Sequence, residues 1–190
     1  MSGVNFVSRG GLKLEHALQT FNLNVTALTC ADLGCSTGGF TDCLLQRGAQ
    51  KVYAVDTGYG VLDWKLRKDP RVVVRERTNA MHVDLPEKVD LVVIDCAWTK
   101  QKHILPSAKR LLRPTGRIVT LLKPHYEADP NLLRKGILPQ DHVESVVTTV
   151  LGQVASDGFG IVDKVESPIK GSKGNTEWLV LLTIGAECSN

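Results

Sequence analysis

The amino-acid sequence predicts a doubly wound α/β fold, in which a mostly parallel sheet ends in an antiparallel pair of strands. Short apolar runs alternate with segments of helical spacing, which is the pattern of strands joined by crossover helices. The last two apolar runs follow each other without a helix between them, which favours a hairpin. The chain has 190 residues, 43% of them apolar, which is enough for one sizeable core, so we expect a single domain over residues 1–190.

The first half of the chain contains a leading helix, three strands and a loop rich in small residues. Apolar residues recur at helical spacing behind Ser8, whose hydroxyl can cap the helix. An apolar run then ends in a turn of small residues, and the next run ends before Asp56. In order, the predicted elements are helix 10–21, strand 28–33, turn 34–39, a helix through Arg47, and strands 51–55 and 71–75.

The second half continues the alternation and then changes character. Buried-looking runs before Asp95 and before Lys123 predict two more strands, separated by a helical stretch. Pro130, Gly136 and Pro139 mark a long connection, of a length that is often functional. The predicted elements are strand 89–94, helix 102–112, strand 117–122, helix 140–155, and strands 160–167 and 176–183. Sheets of this kind bind ligands at the carboxyl ends of their strands.

The composition argues against several classes of protein. The formal net charge of +3 and the sequence pI of about 8.6 permit a polyanionic partner without requiring one. No apolar run reaches the length of a membrane span and the amino terminus lacks a signal-peptide pattern, so we expect no membrane role. The cysteines are odd in number without a C-x-x-C pair, which argues against disulfides and a metal site and favours the cytoplasm: Cys30, Cys35, Cys43, Cys96 and Cys188.

The loop after the first predicted strand has the features of a site for a nucleotide-like cofactor. Its glycines let the backbone approach a ligand closely, and Asp56 is placed to accept hydrogen bonds from a ribose diol. The loop lacks the G-x-G-x-x-G spacing of NAD sites, and the carboxylate of Asp32 suits the cationic end of S-adenosylmethionine better than a pyrophosphate. We therefore expect S-adenosylmethionine, although a purely structural glycine turn is the alternative for the loop alone.

Two residues after the third strand complete the expected cofactor site. Thr78 and Asn79 are the expected neighbours of the adenine, and a simple strand-ending turn is the alternative interpretation. The full set of candidate cofactor-binding residues is Asp32, Gly34, Ser36, Thr37, Gly38, Gly39, Phe40, Thr41, Asp56, Thr57, Thr78, Asn79 and Asp95.

Several sequence motifs, taken in order, resemble those of one family. They are Ser8-Arg9-Gly10-Gly11-Leu12-Lys13-Leu14, Ser36-Thr37-Gly38-Gly39-Phe40-Thr41-Asp42, Val55-Asp56 with Gly58-Tyr59-Gly60, Glu76-Arg77-Thr78-Asn79-Ala80, Lys123-Pro124 and Lys173-Gly174-Asn175-Thr176-Glu177. On these motifs the chain is similar to the methyltransferase domain of the TlyA/hemolysin-like family, within the FtsJ-like ribose 2′-O-methyltransferases. The resemblance covers nearly the whole chain. It implies a Rossmann-like class I methyltransferase fold, S-adenosylmethionine as cofactor, and RNA as substrate, with ribosomal RNA or a ribosomal subunit as the expected form.

The resemblance also implies a catalytic tetrad of Lys13, Asp95, Lys123 and Glu177. Taken singly, each of these residues is of a type that is most often a solvated surface charge. The chemistry supports the assignment, because a ribose 2′-hydroxyl is a poor nucleophile that needs a base within hydrogen-bond reach. Lys123 is the expected base, and its pKa has to fall for that role, through burial and the cation of Lys13. Asp95 and Glu177 are expected to orient the lysines and the hydroxyl.

Two features depart from the family pattern. Family members carry an S4-like RNA-binding domain ahead of the Ser-Arg-Gly-Gly segment, whereas seven residues precede Ser8. The chain is therefore expected to be either a catalytic domain alone or a short protein that obtains its affinity for RNA elsewhere. The segment after Asp95, Cys96-Ala97-Trp98-Thr99, also differs from the Ser-Phe-Ile-Ser-like wording usual in the family. Within it, Trp98 could stack on a base or could simply pack. The candidate phosphate contacts are Arg9, Lys65, Arg67, Lys68, Lys100, Lys102, Lys170 and Lys173, each with ordinary solubilising charge as the alternative.

Three other functions stay open at this level. The same fold could methylate a small molecule or a protein, since a fold does not determine the acceptor. It could also serve as a non-catalytic module that binds RNA or senses the cofactor, or as a nicotinamide oxidoreductase. Lys13 and Glu177 disfavour the first of these functions, the complete tetrad disfavours the non-catalytic module, and the cofactor loop disfavours the oxidoreductase. The methylated nucleotide and the oligomeric state are left undetermined.

Overall fold

The computed structural model describes residues 5–185, which form one seven-stranded sheet between two layers of helices. The strands are β1 Thr29–Leu33, β2 Lys51–Val55, β3 Val72–Arg75, β4 Val89–Ile94, β5 Leu112–Leu122, β6 Phe159–Glu166 and β7 Trp178–Ile184. The helices are α1 Gly10–Thr20, α2 Gly39–Gln46, α3 Trp64–Arg67, α4 Gln101–Leu111, α5 Pro124–Glu127 and α6 Gln140–Ser156. Short 3-10 turns lie at Pro130–Leu132 and Ser172–Gly174.

The strand order is β3-β2-β1-β4-β5-β7-β6. Strands β1 to β5 run parallel, whereas β7 is antiparallel to both of its neighbours, β5 and β6. This topology confirms the predicted doubly wound fold with an antiparallel pair at its carboxyl end. Because β7 runs in the opposite direction, its first residue lies at the same edge as the last residues of β1, β4 and β5. That edge is where an open α/β sheet binds its ligands.

The two faces of the sheet pack against separate apolar cores. In β1, Ala31 and Leu33 pack in the core that includes α4 and α6, whereas Cys30 packs in the core that includes α1 and α2. Both faces are therefore covered, which explains why the central strands are apolar without alternation. None of the helices formed by residues 5–185 has both the length and the apolar character that crossing a membrane requires.

Most predicted elements agree with the structure to within a few residues, and the exceptions have physical reasons. Predicted strand 117–122 begins earlier, because Leu112 pairs with Val89 before a shift in register. Residues 113–115 of this strand are exposed and therefore show no apolar pattern. The predicted helix 102–112 includes Leu112, which is the first residue of β5 in the structure. Helices α3 and α5 were not predicted, because four residues are too few to show a helical period.

Candidate active site

A cavity of about 470 Å³ opens at the edge of the sheet where β1, β4 and β5 end. All four residues of the predicted tetrad, Lys13, Asp95, Lys123 and Glu177, line this cavity. Six further residues predicted to hold the cofactor line it as well: Asp32, Gly34, Ser36, Thr37, Gly39 and Phe40. The structure therefore brings the two predicted sites together in one cavity.

Lys13 and Glu177 form an ion pair at this cavity. Lys13 lies near the start of α1, and Glu177 immediately precedes β7. The Nζ atom of Lys13 is 2.5 Å from Oε2 of Glu177, whose side chain is 3% exposed. These residues are 164 positions apart in the chain, and the reversed direction of β7 is what brings the glutamate to this edge.

Lys123 and Asp95 form the second ion pair. They follow β5 and β4, which are neighbours in the sheet, so their side chains meet at its carboxyl edge. The Nζ atom of Lys123 is 2.6 Å from Oδ1 of Asp95 and 3.4 Å from the carbonyl oxygen of Cys96. The ring of Tyr126, one turn further on, has its centroid 5.9 Å from the same Nζ atom. The Lys123 amine is therefore held in one position by groups from two segments.

The charge state of Lys123 differs from the expectation. Burial lowers the pKa of the Lys123 amine, but the charge and hydrogen bond of Asp95, with the charge of Glu177, outweigh burial and leave the pKa above its ordinary value. The expectation that the pKa of Lys123 falls is therefore wrong for the protein without its ligands. Lys123 is an ammonium cation here, held by carboxylates.

Asp32 is a fully buried carboxylate at the end of β1. Its Oδ2 atom accepts a hydrogen bond of 2.7 Å from Oγ1 of Thr41, whereas Oδ1 has no partner among the described residues. Desolvation raises the pKa of Asp32 to about 7, assisted by the charges of Asp95 and Asp56 and opposed by the hydrogen bonds from Thr41. An unpaired carboxylate oxygen in the lining of a cavity fits a ligand that carries a positive charge, as the amino or sulfonium group of S-adenosylmethionine does.

The glycines of the loop meet specific steric demands. Gly34 has φ +85°, and a Cβ atom there would lie 2.7 Å from the carbonyl oxygen of Asp95, which follows the neighbouring strand. A Cβ atom on Gly39 would lie 2.3 Å from Oγ of Ser8 and 2.7 Å from the backbone nitrogen of Gly11. Gly39 therefore lets the start of α1 pack closely on the start of α2, and this packing brings Lys13 to the cofactor loop.

The other predicted cofactor residues lie outside the cavity lining. Thr41 does not line the cavity but donates a hydrogen bond to Asp32, which does. Asp56 holds the loop by accepting hydrogen bonds from the backbone nitrogens of Ser36, at 2.9 Å, and Gly58, at 2.7 Å. Gly38, with φ +103°, is the residue before α2, and Thr57 is exposed. Asn79 begins a turn, in which its side chain accepts a hydrogen bond from the backbone nitrogen of Met81 and its carbonyl oxygen accepts one from the backbone nitrogen of His82. The backbone nitrogen of Thr78 instead donates a hydrogen bond of 2.9 Å to the carbonyl oxygen of Asp56, so the turn considered as the alternative is present at Asn79 and not at Thr78.

The structure adds residues that the sequence did not indicate. Tyr126 and Ile169 line the cavity, as does Gly171, where a Cβ atom would lie 2.0 Å from Oε1 of Glu177. Tyr126 lies on the short helix α5, and Ile169 and Gly171 lie in the connection before β7. None of these segments has a periodic pattern. The proximity of Tyr126 to Lys123 in the chain was the one available signal.

The candidate phosphate contacts fall into different environments. Arg9 and Lys170 line the cavity, and Lys173 lines a smaller cavity beside it. Arg67 is paired with the carboxylate of Glu76 and does not line either of these cavities. The remaining candidates lie on helices or at their ends: Lys65 is 3.6 Å from Asp42, Lys68 lies over the ring of Trp64, and Lys100 and Lys102 border a separate groove.

Residues 5–185 include four of the five cysteines of the chain. They contain no group of three or more histidine, cysteine or acidic side chains that could hold a metal ion. Cys30, Cys35, Cys43 and Cys96 are free thiols in this part of the chain, and Cys188 lies outside the described residues. Burial raises the pKa of Cys96 to about 12, so this thiol next to Asp95 is protonated.

Comparison with known proteins agrees with this site. Residues 6–184 match the FtsJ-like methyltransferase family model. The chain is 42% identical to the putative rRNA methyltransferase YqxC of Bacillus subtilis, over 94% of this chain and 66% of that protein. It is 41% identical to the 16S/23S rRNA (cytidine-2′-O)-methyltransferase TlyA of Mycobacterium tuberculosis, over 93% of this chain and 68% of that protein.

A solved structure shows the same arrangement of elements. The putative hemolysin from Streptococcus thermophilus superposes with a TM-score of 0.93 at 39% identity, over 98% of this chain and 70% of that chain. The chain thus spans about two thirds of the length of these relatives. The fold is that of class I methyltransferases, and the chain belongs to the FtsJ-like methyltransferase family.

Proposed function

We propose that this protein transfers a methyl group from S-adenosylmethionine to a ribose 2′-hydroxyl of RNA, with ribosomal RNA as the substrate. The observation that carries the proposal is the pairing of Lys123 with Asp95 at the same cavity as the unpaired carboxylate of Asp32. The carboxylate of Asp32 suits a cationic cofactor, and Lys123 offers a positioned amine to a hydroxyl. The names of the relatives TlyA and YqxC support rRNA as the acceptor.

The cofactor would be held by the loop between β1 and α2. The Oδ1 atom of Asp32 would pair with its positive charge, and Gly34 lets the backbone approach it closely. Asp56 maintains the loop through Ser36. S-adenosylmethionine, when bound, supplies a methyl group that is activated for transfer by its sulfonium.

Lys123 would accept the proton of the 2′-hydroxyl while the oxygen–methyl bond forms. Asp95 opposes this role, because it stabilises the charged amine. RNA bound in the cavity would remove water from Lys123 and place a hydroxyl beside Nζ, and desolvation favours the neutral amine. Glu177 contributes to the charge environment of Lys123 and is paired with Lys13, so it links the two lysines.

Trp98 would contact the acceptor nucleotide. Its side chain is 81% exposed, and its backbone has φ +57°, a conformation that tryptophan rarely adopts. It follows Asp95 by three residues in the loop after β4. An exposed indole at this position offers a flat face on which a base can stack. A ribosomal substrate would place the protein in the cytoplasm.

The test is transfer of labelled methyl from S-adenosylmethionine to deproteinised rRNA and to isolated ribosomal subunits, followed by mapping of the 2′-O-methyl nucleotide. We expect Lys123→Ala to lower kcat by about 10²- to 10⁴-fold, the range typical of general acid–base catalysis, while cofactor affinity stays near that of the wild type. The matched control is Lys51→Ala, since Lys51 is also ion-paired, 2.7 Å from Glu87, but lies at the opposite edge of the sheet. Equal rates for the wild type and Lys123→Ala would contradict the mechanism. Transfer to no RNA at all would contradict the proposed acceptor.

A further inference from the structure

A second cavity, of about 300 Å³, lies beside the first. It is lined by Trp98, His125, Tyr126, Leu133, Gly136 and Lys173. Tyr126 lines both cavities, so the second cavity begins one aromatic ring away from the Lys123 amine. The segments that form it come from the loop after β4, helix α5, the long connection before α6 and the loop before β7.

His125 is the polar group in this cavity that packing does not explain. Its side chain is 5% exposed, and neither Nδ1 nor Nε2 has a hydrogen-bond partner among the described residues. Burying a polar ring without partners is unfavourable, typically by about 1–3 kcal/mol for each unsatisfied group. If the residue at this position had only a structural role, an apolar ring would avoid this cost. A ligand that pairs with the imidazole would remove this cost.

The imidazole has defined hydrogen-bonding properties. Burial lowers the pKa of His125, and the charge of Lys123 lowers it further, so the ring is neutral near pH 7. A neutral imidazole has one donor and one acceptor nitrogen. The edge of a nucleobase also carries donors and acceptors, in a pattern that differs from base to base. A neutral imidazole can therefore distinguish bases by hydrogen bonding.

The surroundings of His125 also fit a base. Trp98 offers a flat face, and the ring of Tyr126 lies against the imidazole, with a centroid separation of 4.1 Å. Lys173 reaches the far side, where its Nζ atom would lie 2.9 Å from a Cβ atom built on Gly136. Aromatic faces, one cation and one unpaired imidazole are groups that recognise a single unstacked nucleotide.

We propose that the second cavity receives the base of the acceptor nucleotide and that His125 hydrogen-bonds to the edge of that base, so that His125 determines which base is accepted. This inference rests on the proposed function, because it requires the ribose of the same nucleotide to lie at Lys123. It assigns base selection to a residue outside the tetrad.

The test compares acceptors that differ only at the mapped nucleotide. Ribosomal RNA carrying each of the four bases at that position is methylated by the wild type, by His125→Phe and by His125→Gln, and kcat/KM is measured for each. We expect His125→Phe, which keeps a flat ring without hydrogen-bonding groups, to reduce the preference for the best base by about tenfold, since one hydrogen bond has that effect. Glutamine restores one donor and one acceptor, so His125→Gln should recover part of the preference.

Controls separate this inference from the proposed function. His142→Phe changes a histidine on α6 that does not line either cavity, and it should leave the base preference unchanged. If the wild type methylates RNA and His125→Phe retains the full preference, the role of His125 is wrong although the proposed function stands. If the wild type methylates no RNA, both fail together. Should His125→Phe not fold, nitrogen-15 NMR of the wild-type imidazole decides: its signals must shift with an oligonucleotide of the mapped sequence and must not shift when that nucleotide is abasic.

Discussion

At the scale of single residues, the buried carboxylate of Asp32 serves the proposed cofactor site but lowers the free energy of unfolding. An aspartate in an unfolded chain has a pKa near 4, whereas burial raises the pKa of Asp32 in the folded protein to about 7. Between these two values the folded state binds a proton that the unfolded state does not. The contribution of Asp32 to the free energy of unfolding therefore decreases as the pH rises from about 4 to about 7, and it is unfavourable above that range.

Asp32→Asn should therefore increase stability and weaken cofactor binding at the same time. Asparagine keeps an oxygen that can accept the hydrogen bond from Thr41 but carries no charge. We expect the variant to gain at most about 4 kcal/mol in the free energy of unfolding at pH 8, and clearly less at pH 5, by urea denaturation. Isothermal titration with S-adenosylmethionine should show a loss of affinity.

The exposed aspartate Asp157, at the end of α6, provides the comparison for this prediction. Asp157→Asn removes the same charge away from the cavity and should leave the affinity for the cofactor unchanged. A stability gain in Asp32→Asn that is equal at both pH values would show that the charge of Asp32 is not the cause.

At the scale of elements, the connection between β6 and β7 determines where Glu177 lies. Within it, the backbone nitrogen of Gly171 donates a hydrogen bond of 2.9 Å to the carbonyl oxygen of Asn175. The Asn175 side chain in turn accepts from the backbone nitrogen of Leu138 and donates to the carbonyl oxygen of Gly136, both at 3.0 Å. Asn175 thus joins two connections that border the cavities. The carboxylate of Glu177 lies directly over Gly171.

Gly171→Ala should displace this carboxylate without altering the fold. A Cβ atom at this position would lie 2.0 Å from Oε1 of Glu177, so the carboxylate has to leave the position in which it pairs with Lys13. Because the obstructing atom is the end of a side chain, the backbone need not shift. We expect kcat to fall by about 10- to 100-fold, the effect of misplacing a catalytic group by about 1 Å, with the melting temperature nearly unchanged.

Gly152→Ala is the control for the alanine substitution itself. Gly152 lies in α6, where a Cβ atom meets nothing within 4 Å, and alanine in a helix interior is favoured over glycine by about 1 kcal/mol. This variant should be slightly more stable and fully active. An active Gly171→Ala would mean that the contact between Glu177 and Lys13 is not needed for turnover.

The elements also show which parts of the site a sequence can predict. Asp95 and Lys123 directly follow apolar runs, and the carboxyl ends of parallel strands share one edge of a sheet, so the pattern alone predicts that both residues lie at that edge. Their direct pairing also requires β4 and β5 to be neighbours, which the pattern does not determine. The position of β7 between β5 and β6 does not follow from periodicity, because a hairpin can add to the sheet in either order. The pairing of Lys13 with Glu177 depends on that order, so it was indicated only by family resemblance.

Other features of the site lie beyond what pattern and composition can indicate. The pKa of Lys123 is the balance of burial against two carboxylates, and its direction depends on distances that a sequence does not contain. The positions of Tyr126 and His125 beside the cavities could not be predicted either, because α5 has only four residues and shows no helical period. Spacing alone could not separate Thr78 and Asn79, which lie outside the cavity lining, from residues that line it.

At the scale of the whole molecule, several cationic side chains lie at the edge of the sheet that holds the cavities. Arg9 and Lys170 line the first cavity, Lys173 lines the second, and Lys100 and Lys102 lie at the start of α4, after the loop that carries Trp98. The formal net charge of the chain is only +3, so general attraction to RNA is weak and local placement has to provide it. Contacts with phosphates release counterions, which makes affinity depend on salt.

RNA affinity should therefore fall as salt increases, and Lys102→Ala should reduce that dependence. For single-stranded RNA each phosphate contact contributes about −0.7 to the slope of log K against log salt concentration, so loss of the exposed Lys102 should make the slope less negative by about that amount. A phosphate contact carries no sequence information, so the affinity of matched and unmatched RNA should fall by the same factor. Fluorescence anisotropy between about 50 and 200 mM salt measures both quantities.

Lys51→Ala, which removes the same charge at the opposite edge of the sheet, should leave the slope unchanged. Equal slopes for Lys102→Ala and Lys51→Ala would mean that RNA binds through another surface, because identical changes in net charge would then have identical effects wherever they are placed.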